Sequence, residues 1–260
     1  MKFGLCASID NMQLAADSGF DYVELGVADT LKPMKEEYLT AVSRQSNITG
    51  LVPLCFNLFF PGGLNVVGPG VDMDLIHRYI DAACTRAVSV GAAVVGIGSG
   101  AQRRIPEGFA REEAQAQLLS IFIRAGTAAS ASNLKIAIEP LVQAETNVLN
   151  SVQEAYSMAT QTGCDNVGIL CDSYHLGYDV PGYPQMRAAG ARVAHLHVAS
   201  EHGRSAPMPA DLDHLAKFLE SARVATAVDT VSIECSWTNM AEESKISLDT
   251  LRRAWSMVGE

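Results

Sequence analysis

Two glutamates follow a short apolar run near the middle of the chain and could carry chemistry. Residues 134–138 are typical of a buried parallel strand, and Glu139 follows where that strand should end. Pro140 then opposes both ladder hydrogen bonding and a helix, and Glu145 lies six positions after Glu139. A carboxylate at the end of a buried strand has lost much of its hydration, so it needs a compensating charge. That charge could be an arginine or lysine in a salt bridge, or a metal ion.

Three further polar residues end later apolar runs: Asp172, His197 and Glu234. Each has an ordinary structural explanation. Asp172 could cap a helix, His197 could be a core histidine, and Glu234 could pair with Arg204. Together with Glu139, however, they place three carboxylates and one imidazole at equivalent strand ends. Because like charges so placed repel each other, the whole group favours a bound cation.

The elements that must position these residues repeat about every 30 residues, as expected for strand–helix units. The predicted strands cover residues 3–7, 21–25, 51–56, 92–97, 134–138, 167–171, 193–198 and 230–233. The predicted helices cover residues 9–16, 33–43, 71–90, 111–130, 151–162, 183–189, 211–222 and about 240–257. Eight regular units predict a single-domain (β/α)8 barrel, a TIM barrel of the α/β class, over residues 1–260. A doubly wound sheet is the alternative, but no GxGxxG follows the first strand.

In such a barrel, functional groups lie where strands end and the following loops begin. The residues at those positions are Glu24, Asn57, Ser99, Glu139, Asp172, His197 and Glu234. An oxygen-rich set with one nitrogen and no cysteine suits Mn²⁺, Mg²⁺ or Co²⁺ better than a structural zinc site. His195 and His197 share a strand face, and only His197 is near enough to the strand end to reach a metal. His195 is therefore expected to support the site or to belong to the core.

Composition excludes several classes of function. The net charge of −10 opposes nucleic acid or an anionic membrane as the main partner. No apolar run reaches about 18 residues and no signal-type segment opens the chain, so we expect a soluble, cytoplasmic protein. The six cysteines form no CxxC pair and are expected to be small buried hydrophobes. His77, His202 and His214 are expected to face solvent, as are Arg103 and Arg104, which favours a substrate without a phosphate group.

The motifs also carry a resemblance. Glu139-Pro140-Leu with Glu145, Asp172-x-x-His175, the His-Leu-His that contains His197, and Ile233-Glu234 resemble the xylose isomerase-like barrel superfamily. Within it the chain is most similar to the sugar isomerase/epimerase group that includes ketose 3-epimerases and hydroxypyruvate isomerase. The resemblance covers the whole chain and is strongest over residues 134–235.

The resemblance implies roles for named residues. It implies four ligands for one divalent metal ion, which are Glu139, Asp172, His197 and Glu234. It implies that Glu139 and Glu234 also act as the acid/base pair. It implies substrate contacts at Glu145, His175 and Arg204, although the spacing from His197 to Arg204 is one residue longer than in the ketose epimerases. Asn57 is a further candidate for binding substrate, because it begins a loop with Phe56, Phe59 and Phe60 nearby, which could either cover the sugar or anchor the core.

The implied reaction is proton transfer next to the carbonyl of a keto sugar, through an enediolate stabilised by Mn²⁺, with Mg²⁺, Co²⁺ and Zn²⁺ as alternatives. Two other classes stay open: a lyase or dehydratase on a keto sugar, keto-glycoside or keto-inositol, and a non-catalytic sugar-binding barrel. The DNA-repair endonucleases of the superfamily carry extra histidines, whereas Asn57 and Ser99 stand at the ends of strands three and four here. The expected partner is thus a small sugar, and a homo-oligomer is possible.

Overall fold

A closed barrel of eight parallel strands organises the chain. The computed structural model describes residues 1–35, 39–178, 182–223 and 228–258. The strands are β1 Lys2–Cys6, β2 Tyr22–Gly26, β3 Pro53–Asn57, β4 Val94–Ile97, β5 Lys135–Ile138, β6 Val167–Asp172, β7 Val193–Val198 and β8 Thr230–Ile233. They pair in chain order, and β1 pairs with β8 to close the ring. The predicted (β/α)8 barrel is confirmed.

Helices connect the strands and surround the barrel. They are α1 Met12–Ser18, α2 Leu39–Thr49, α3 Met73–Ser89, α4 Arg111–Ala129, α5 Val152–Gln161, α6 Ser173–Tyr178, α7 Gly182–Ala189, α8 Leu212–Arg223 and α9 Met240–Met257. Short 3₁₀ turns cover Ile9–Asn11, Gly190–Arg192 and Pro209–Asp211. None of the described helices combines the length and the apolar character that crossing a membrane requires.

The helix predicted over residues 33–43 is confirmed over residues 39–43 and wrong over residues 33–35, which are not helical. The chain forms a π-helical turn at Val27–Leu31, and the described part of α2 is Leu39–Thr49; residues 36–38 of the predicted helix lie outside the described part of the chain. Lys32 ends the turn in the left-handed region, at φ 46°, which is incompatible with continuing a right-handed helix. Arg86 of α3 donates a hydrogen bond to the carbonyl of Leu31 at 2.9 Å. A contact from a distant helix therefore fixes the backbone at the end of this turn.

Helix α6 was expected to be a loop, and its start depends on a strand-end side chain. Oδ1 of Asp172 accepts a hydrogen bond from the backbone N–H of Tyr174 at 2.9 Å. A short polar side chain that satisfies an N–H of the first turn favours helix initiation. Asp172 thus has the capping role proposed as its structural explanation, while its second oxygen faces Arg204 and His175.

The barrel interior changes from apolar to polar along the strands. Tyr22 packs with Leu170 in an interior cluster, whose other members are Cys55, Val94, Ala137 and Ala194. Two residues further along the same strands stand Glu24 and Asp172, both fully buried. Because side chains two apart share a strand face, the alternation that buries the apolar layer also aims the carboxylates inward. The six cysteines are free; Cys55, Cys84 and Cys171 are buried as expected, and Cys6, Cys164 and Cys235 are partly exposed.

Gly168 of β6 offers a test of the barrel packing. A Cβ at this position would lie 2.4 Å from the backbone oxygen of Arg192 and 3.1 Å from the Cβ of Ala194. Because backbone cannot move as a side chain does, Gly168→Ala should lower the free energy of unfolding by about 2–3 kcal/mol, measured by urea denaturation. Gly62→Ala is the matched control, since its Cβ would have no neighbour within 4 Å. Equal urea midpoints for the two variants would contradict this packing.

Candidate active site

The four groups singled out at the strand ends meet at the C-terminal mouth of the barrel. One ligand atom from each of Glu139, Asp172, His197 and Glu234 lies within 4.8 Å of all the others. Nδ1 of His197 is 3.2 Å from Oε2 of Glu234 and 3.7 Å from Oε1 of Glu139. Residues separated by up to 95 positions are thus brought to one point by strands β5 to β8.

Three polar atoms at this point are buried without a partner. Among the described residues, Oε1 of Glu139, Nδ1 of His197 and Nε2 of His175 have no hydrogen bond. Buried polar atoms without partners are costly and therefore uncommon. A divalent cation between the carboxylates and Nδ1 would satisfy two of them, and three oxygens with one nitrogen suit an ion of the Mn²⁺ or Mg²⁺ type. The donor set therefore fits a metal ion.

His175 lies beside the cluster as a hydrogen-bond donor. Its Nδ1 accepts a long hydrogen bond, 3.4 Å, from the backbone N–H of Val142. In a neutral ring the proton must then be on Nε2. That nitrogen lies 3.7 Å from Oδ2 of Asp172 and 3.9 Å from Oε1 of Glu139, beyond hydrogen-bond distance. Helix α6 thus presents an N–H to the space between the carboxylates.

The charges of the cluster depend strongly on one another. Burial raises the pKa of Asp172, and the neighbouring Glu234 adds to this effect. Burial would also raise the pKa of Glu234, but the attraction of His197, whose Nδ1 is 3.2 Å from Oε2, and the charge of Arg204 outweigh it and lower that pKa to about 2. Burial lowers the pKa of His197, yet the carboxylates of Glu24 and Glu234 hold it well above its ordinary value. The raised pKa of His197 thus reflects a negative local potential from Glu24 and Glu234, which favours a positively charged group at this point.

Arg204 balances part of this negative charge. Its Nη1 donates to Oε1 of Glu145 at 3.3 Å, and its Nη2 donates to Oδ2 of Asp172 at 3.5 Å and to Glu234. The guanidinium also lies 5.2 Å from the ring centre of Tyr174. The pairing of Glu234 with Arg204, its proposed structural explanation, is therefore present together with the cluster. Glu145 lies at the rim, with a side chain 39% exposed.

A cleft of about 410 Å³ opens above the cluster. This volume is within the range of about 300–1,000 Å³ that is common for small-molecule sites. Glu139, Glu145, Arg204 and Glu234 line it, and so does Asn57. The Asn57 amide donates to Oε1 of Glu234 at 2.8 Å, which directs this amide toward the carboxylate. The cleft therefore combines the two candidate acid/base residues with polar groups that a sugar could contact.

Comparison with known protein families agrees with this architecture. A family model described as xylose isomerase-like TIM barrel matches residues 12–253. The chain belongs to this family. No curated protein sequence matches the chain.

Solved structures similar to this xylose isomerase-like barrel include sugar epimerases. D-psicose 3-epimerase with D-tagatose from Clostridium cellulolyticum H10 has a TM-score of 0.82 and 16% identity, over 98% of this chain and 99% of that one. 3-keto-D-glucoside 4-epimerase from E. coli has a TM-score of 0.77 and 18% identity, over 97% and 99%. AP endonuclease, family 2, from Brucella melitensis has a TM-score of 0.76 and 16% identity, over 93% and 95%. At these identities the likeness shows the fold.

Gly98 lies against the cluster of four strand-end residues in this xylose isomerase-like barrel, and the sequence did not single it out. A Cβ at Gly98 would stand 2.2 Å from Oε2 of Glu139. The next residue, Ser99, has a left-handed backbone at φ 46°, and its Oγ accepts a hydrogen bond from the N–H of Phe60 at 3.0 Å. The end of β4 is thus held close to the carboxylate of Glu139. A glycine after an apolar run was the available sequence signal, but it did not reveal this contact.

Glu24 of β2, like Gly98, has a role that the sequence did not reveal. Its side chain is fully buried, with oxygens 2.8 Å from Nε2 of His195 and 2.9 Å from Nε2 of His197. Burial would raise the pKa of Glu24, but the two imidazoles outweigh it and hold that pKa well below its ordinary value. His195, expected to support the site or to belong to the core, is fully buried and reaches His197 through Glu24. The position of Glu24 at a strand end was the only signal in the sequence.

The two arginines that were expected to face solvent differ in their exposure. Arg103 is 2% exposed, with long hydrogen bonds of 3.4 Å to the carbonyls of Ile97 and Leu149. Burial lowers its pKa to about 10, against the attraction of Glu139 and neighbouring acids. Arg104 is exposed, as expected. The sequence predicts the same exposure for both arginines. Only the folded chain shows that the side chain of Arg103 is buried and that of Arg104 is exposed.

The remaining histidines and the phenylalanines also differ in part from expectation. His202 is exposed as expected, whereas His77 and His214 are half-buried. Of the two interpretations of the phenylalanines near the loop after β3, the core one is right: Phe56 near the end of β3 and Phe59 and Phe60 in that loop are buried. The exposed apolar side chain of that loop is instead Leu58, which lines the cleft.

Proposed function

We propose that this barrel is a divalent-metal-dependent isomerase or epimerase acting on a keto sugar or a related polyhydroxy carbonyl compound. The observation that carries the proposal is the convergence of Glu139, Asp172, His197 and Glu234 below a cleft. The fold likeness to D-psicose 3-epimerase supports the choice of sugar chemistry. The fold likeness to an AP endonuclease is not matched by charge or ligands, since the net charge is −10, Asn57 ends β3 and Ser99 follows β4.

In the proposed site, Glu139, Asp172, His197 and Glu234 hold the metal ion, with Mn²⁺ preferred and Mg²⁺, Co²⁺ or Zn²⁺ as alternatives. When bound, the ion stabilises negative charge on the substrate oxygens as a proton leaves the neighbouring carbon. The chain's own contribution is to move that proton and to orient the sugar. Both Glu139 and Glu234 line the cleft, so both can reach a bound substrate.

Glu139 and Glu234 divide the proton transfer between them. Glu234, which its pKa of about 2 keeps ionised, accepts the proton from the carbon next to the carbonyl, and Glu139 donates one from its carboxylic acid form. Donation to the opposite face of the same carbon inverts it and gives an epimer. Donation to the neighbouring carbon gives an aldose–ketose isomer. Glu234 is held in place by Asn57 and Arg204, whereas Oε1 of Glu139 has no partner among the described residues.

Substrate orientation is assigned to His175, Arg204, Glu145 and Asn57. The Nε2–H of His175 has no hydrogen-bond partner in the described chain, so it is a donor for a substrate hydroxyl. Arg204 and Glu145 pair at the rim and can each contact a sugar oxygen. Among the described residues that line the cleft, Arg204 is the only cation, and it is shared by three carboxylates. We therefore assign a substrate without a phosphate group.

The experiment combines metal analysis with isotope exchange. We expect about one divalent ion per chain, removable by EDTA. A panel of keto sugars incubated in deuterated water with Mn²⁺ should gain deuterium next to the carbonyl, and EDTA-treated protein should give none. An eliminated product would identify a lyase or dehydratase instead. Sugar binding without metal or exchange would indicate a binding barrel and contradict the proposal.

A further inference from the structure

A buried carboxylate lies beneath the candidate metal ligand His197. Glu24 is 0% exposed, and each of its oxygens faces an imidazole nitrogen, Nε2 of His195 at 2.8 Å and Nε2 of His197 at 2.9 Å. The two rings stand nearly perpendicular, at 87°, with centres 5.0 Å apart. One glutamate therefore bridges two histidines of β7, only one of which reaches the cluster.

The bridge determines where the proton of His197 lies. A carboxylate offers only acceptors, so Nε2 of both histidines must donate to it. With its Nε2 protonated, His197 turns Nδ1 toward Oε2 of Glu234 and Oε1 of Glu139, at 3.2 and 3.7 Å. Nδ1 is buried and has no hydrogen-bond partner among the described residues. The nitrogen that faces the carboxylates is thus the one left for a metal ion.

His195, the other histidine bound to Glu24, is itself held by a hydrogen bond and so orients Glu24 in turn. Nδ1 of His195 lies 2.8 Å from the hydroxyl of Thr230. The Thr230 hydroxyl can donate to this nitrogen, which leaves the Nε2–H of His195 to bind Glu24. The hydroxyl of Ser232 lies 3.3 Å from that same Nε2. Strands β8, β7 and β2 thus contribute a continuous chain from Thr230 through His195 and Glu24 to His197.

We propose that Glu24 is a positioning residue, which holds the proton of His197 on Nε2 and thereby commits Nδ1 to the metal ion. The inference rests on the proposed function, because it requires that the cluster bind a metal. Hydrogen bonds of this kind orient a metal-bound imidazole and strengthen it as a ligand. Glu24 itself does not line the cleft and is not assigned to contact substrate.

The first test is the metal affinity of Glu24→Gln. A glutamine keeps the size of the side chain but replaces one acceptor oxygen with an NH₂ donor, so it can no longer accept from both imidazoles. We expect Mn²⁺ to bind about 10–100-fold more weakly, measured by calorimetry. The Co²⁺-loaded protein should also show a changed visible absorption spectrum. Tyr22→Phe is the matched control: it removes a fully buried hydroxyl, bonded to Ser232 at 2.8 Å, from the same barrel interior.

The second test needs no variant. In wild-type protein labelled with ¹⁵N-histidine, long-range ¹H–¹⁵N correlation should show His197 protonated at Nε2, both metal-free and loaded with Mg²⁺. An unprotonated Nε2 would overturn the inference even if Glu24→Gln failed to fold. Glu24→Gln and Tyr22→Phe binding Mn²⁺ equally well, with wild-type affinity, would overturn it as well. Failure of wild-type protein to bind Mn²⁺ would instead remove the proposed function on which the inference rests.

Discussion

Glu139→Gln is expected to abolish turnover while leaving the barrel folded. The substitution removes a carboxyl group from the four converging groups and replaces a candidate acid/base residue with an amide that can neither donate nor accept the proton. Loss of a positioned acid or base alone costs about 10²–10⁴-fold in rate. Because Glu139 is also a candidate ligand, Mn²⁺ content should fall together with deuterium exchange into a ketose. Both quantities are measurable on the same purified sample.

The control for this prediction is the same substitution at an exposed glutamate. Glu107→Gln changes the net charge equally and lies in the loop between β4 and α4, where its side chain faces solvent. It should retain wild-type metal content and exchange. Circular dichroism of both variants would separate loss of the site from loss of the fold. A Glu139→Gln protein with exchange within about tenfold of Glu107→Gln would contradict the role of Glu139.

Gly98→Ala is expected to have an effect nearly as large, although glycine carries no functional group. A Cβ at this position would stand 2.2 Å from Oε2 of Glu139 and 3.3 Å from its carboxylate carbon, so the carboxylate must move. A displacement of about 1 Å at a reacting group can cost about 10²-fold in rate. We expect kcat/KM for a ketose to fall by about that factor and Mn²⁺ to bind more weakly.

Gly62→Ala separates this contact from a general cost of replacing glycine. Neither Gly98 nor Gly62 has a left-handed backbone, and a Cβ at Gly62 would meet no atom within 4 Å. Gly62→Ala should therefore keep its activity. Urea denaturation would show whether Gly98→Ala loses stability as well as activity. Normal turnover and metal affinity in Gly98→Ala would show that the carboxylate of Glu139 tolerates displacement. That result would contradict the prediction that this carboxylate must be precisely positioned.

Much of the site was visible in the sequence because a parallel barrel makes position along a strand equivalent to position in space. Once residues 134–138 and 230–233 are recognised as strands of one closed ring, the residues that follow them must meet at the same mouth. Glu139 and Glu234 could therefore be brought together without knowing a single contact. The apolar runs and their spacing determined the barrel, and the barrel determined which polar residues converge.

Contacts between side chains of distant strands were decided only by the tertiary structure. Glu24 and His195 lie 171 positions apart. Their hydrogen bond depends on closure of the barrel and on the heights of β2 and β7 along the barrel axis, since these strands face each other across the interior. The burial of Arg103 and the close approach of Gly98 to Glu139 likewise depend on how one loop folds against the barrel. Periodicity predicts the face and the level of a side chain. Which atom it meets there depends on distances of an ångström or less, which are established only when the whole ring has packed.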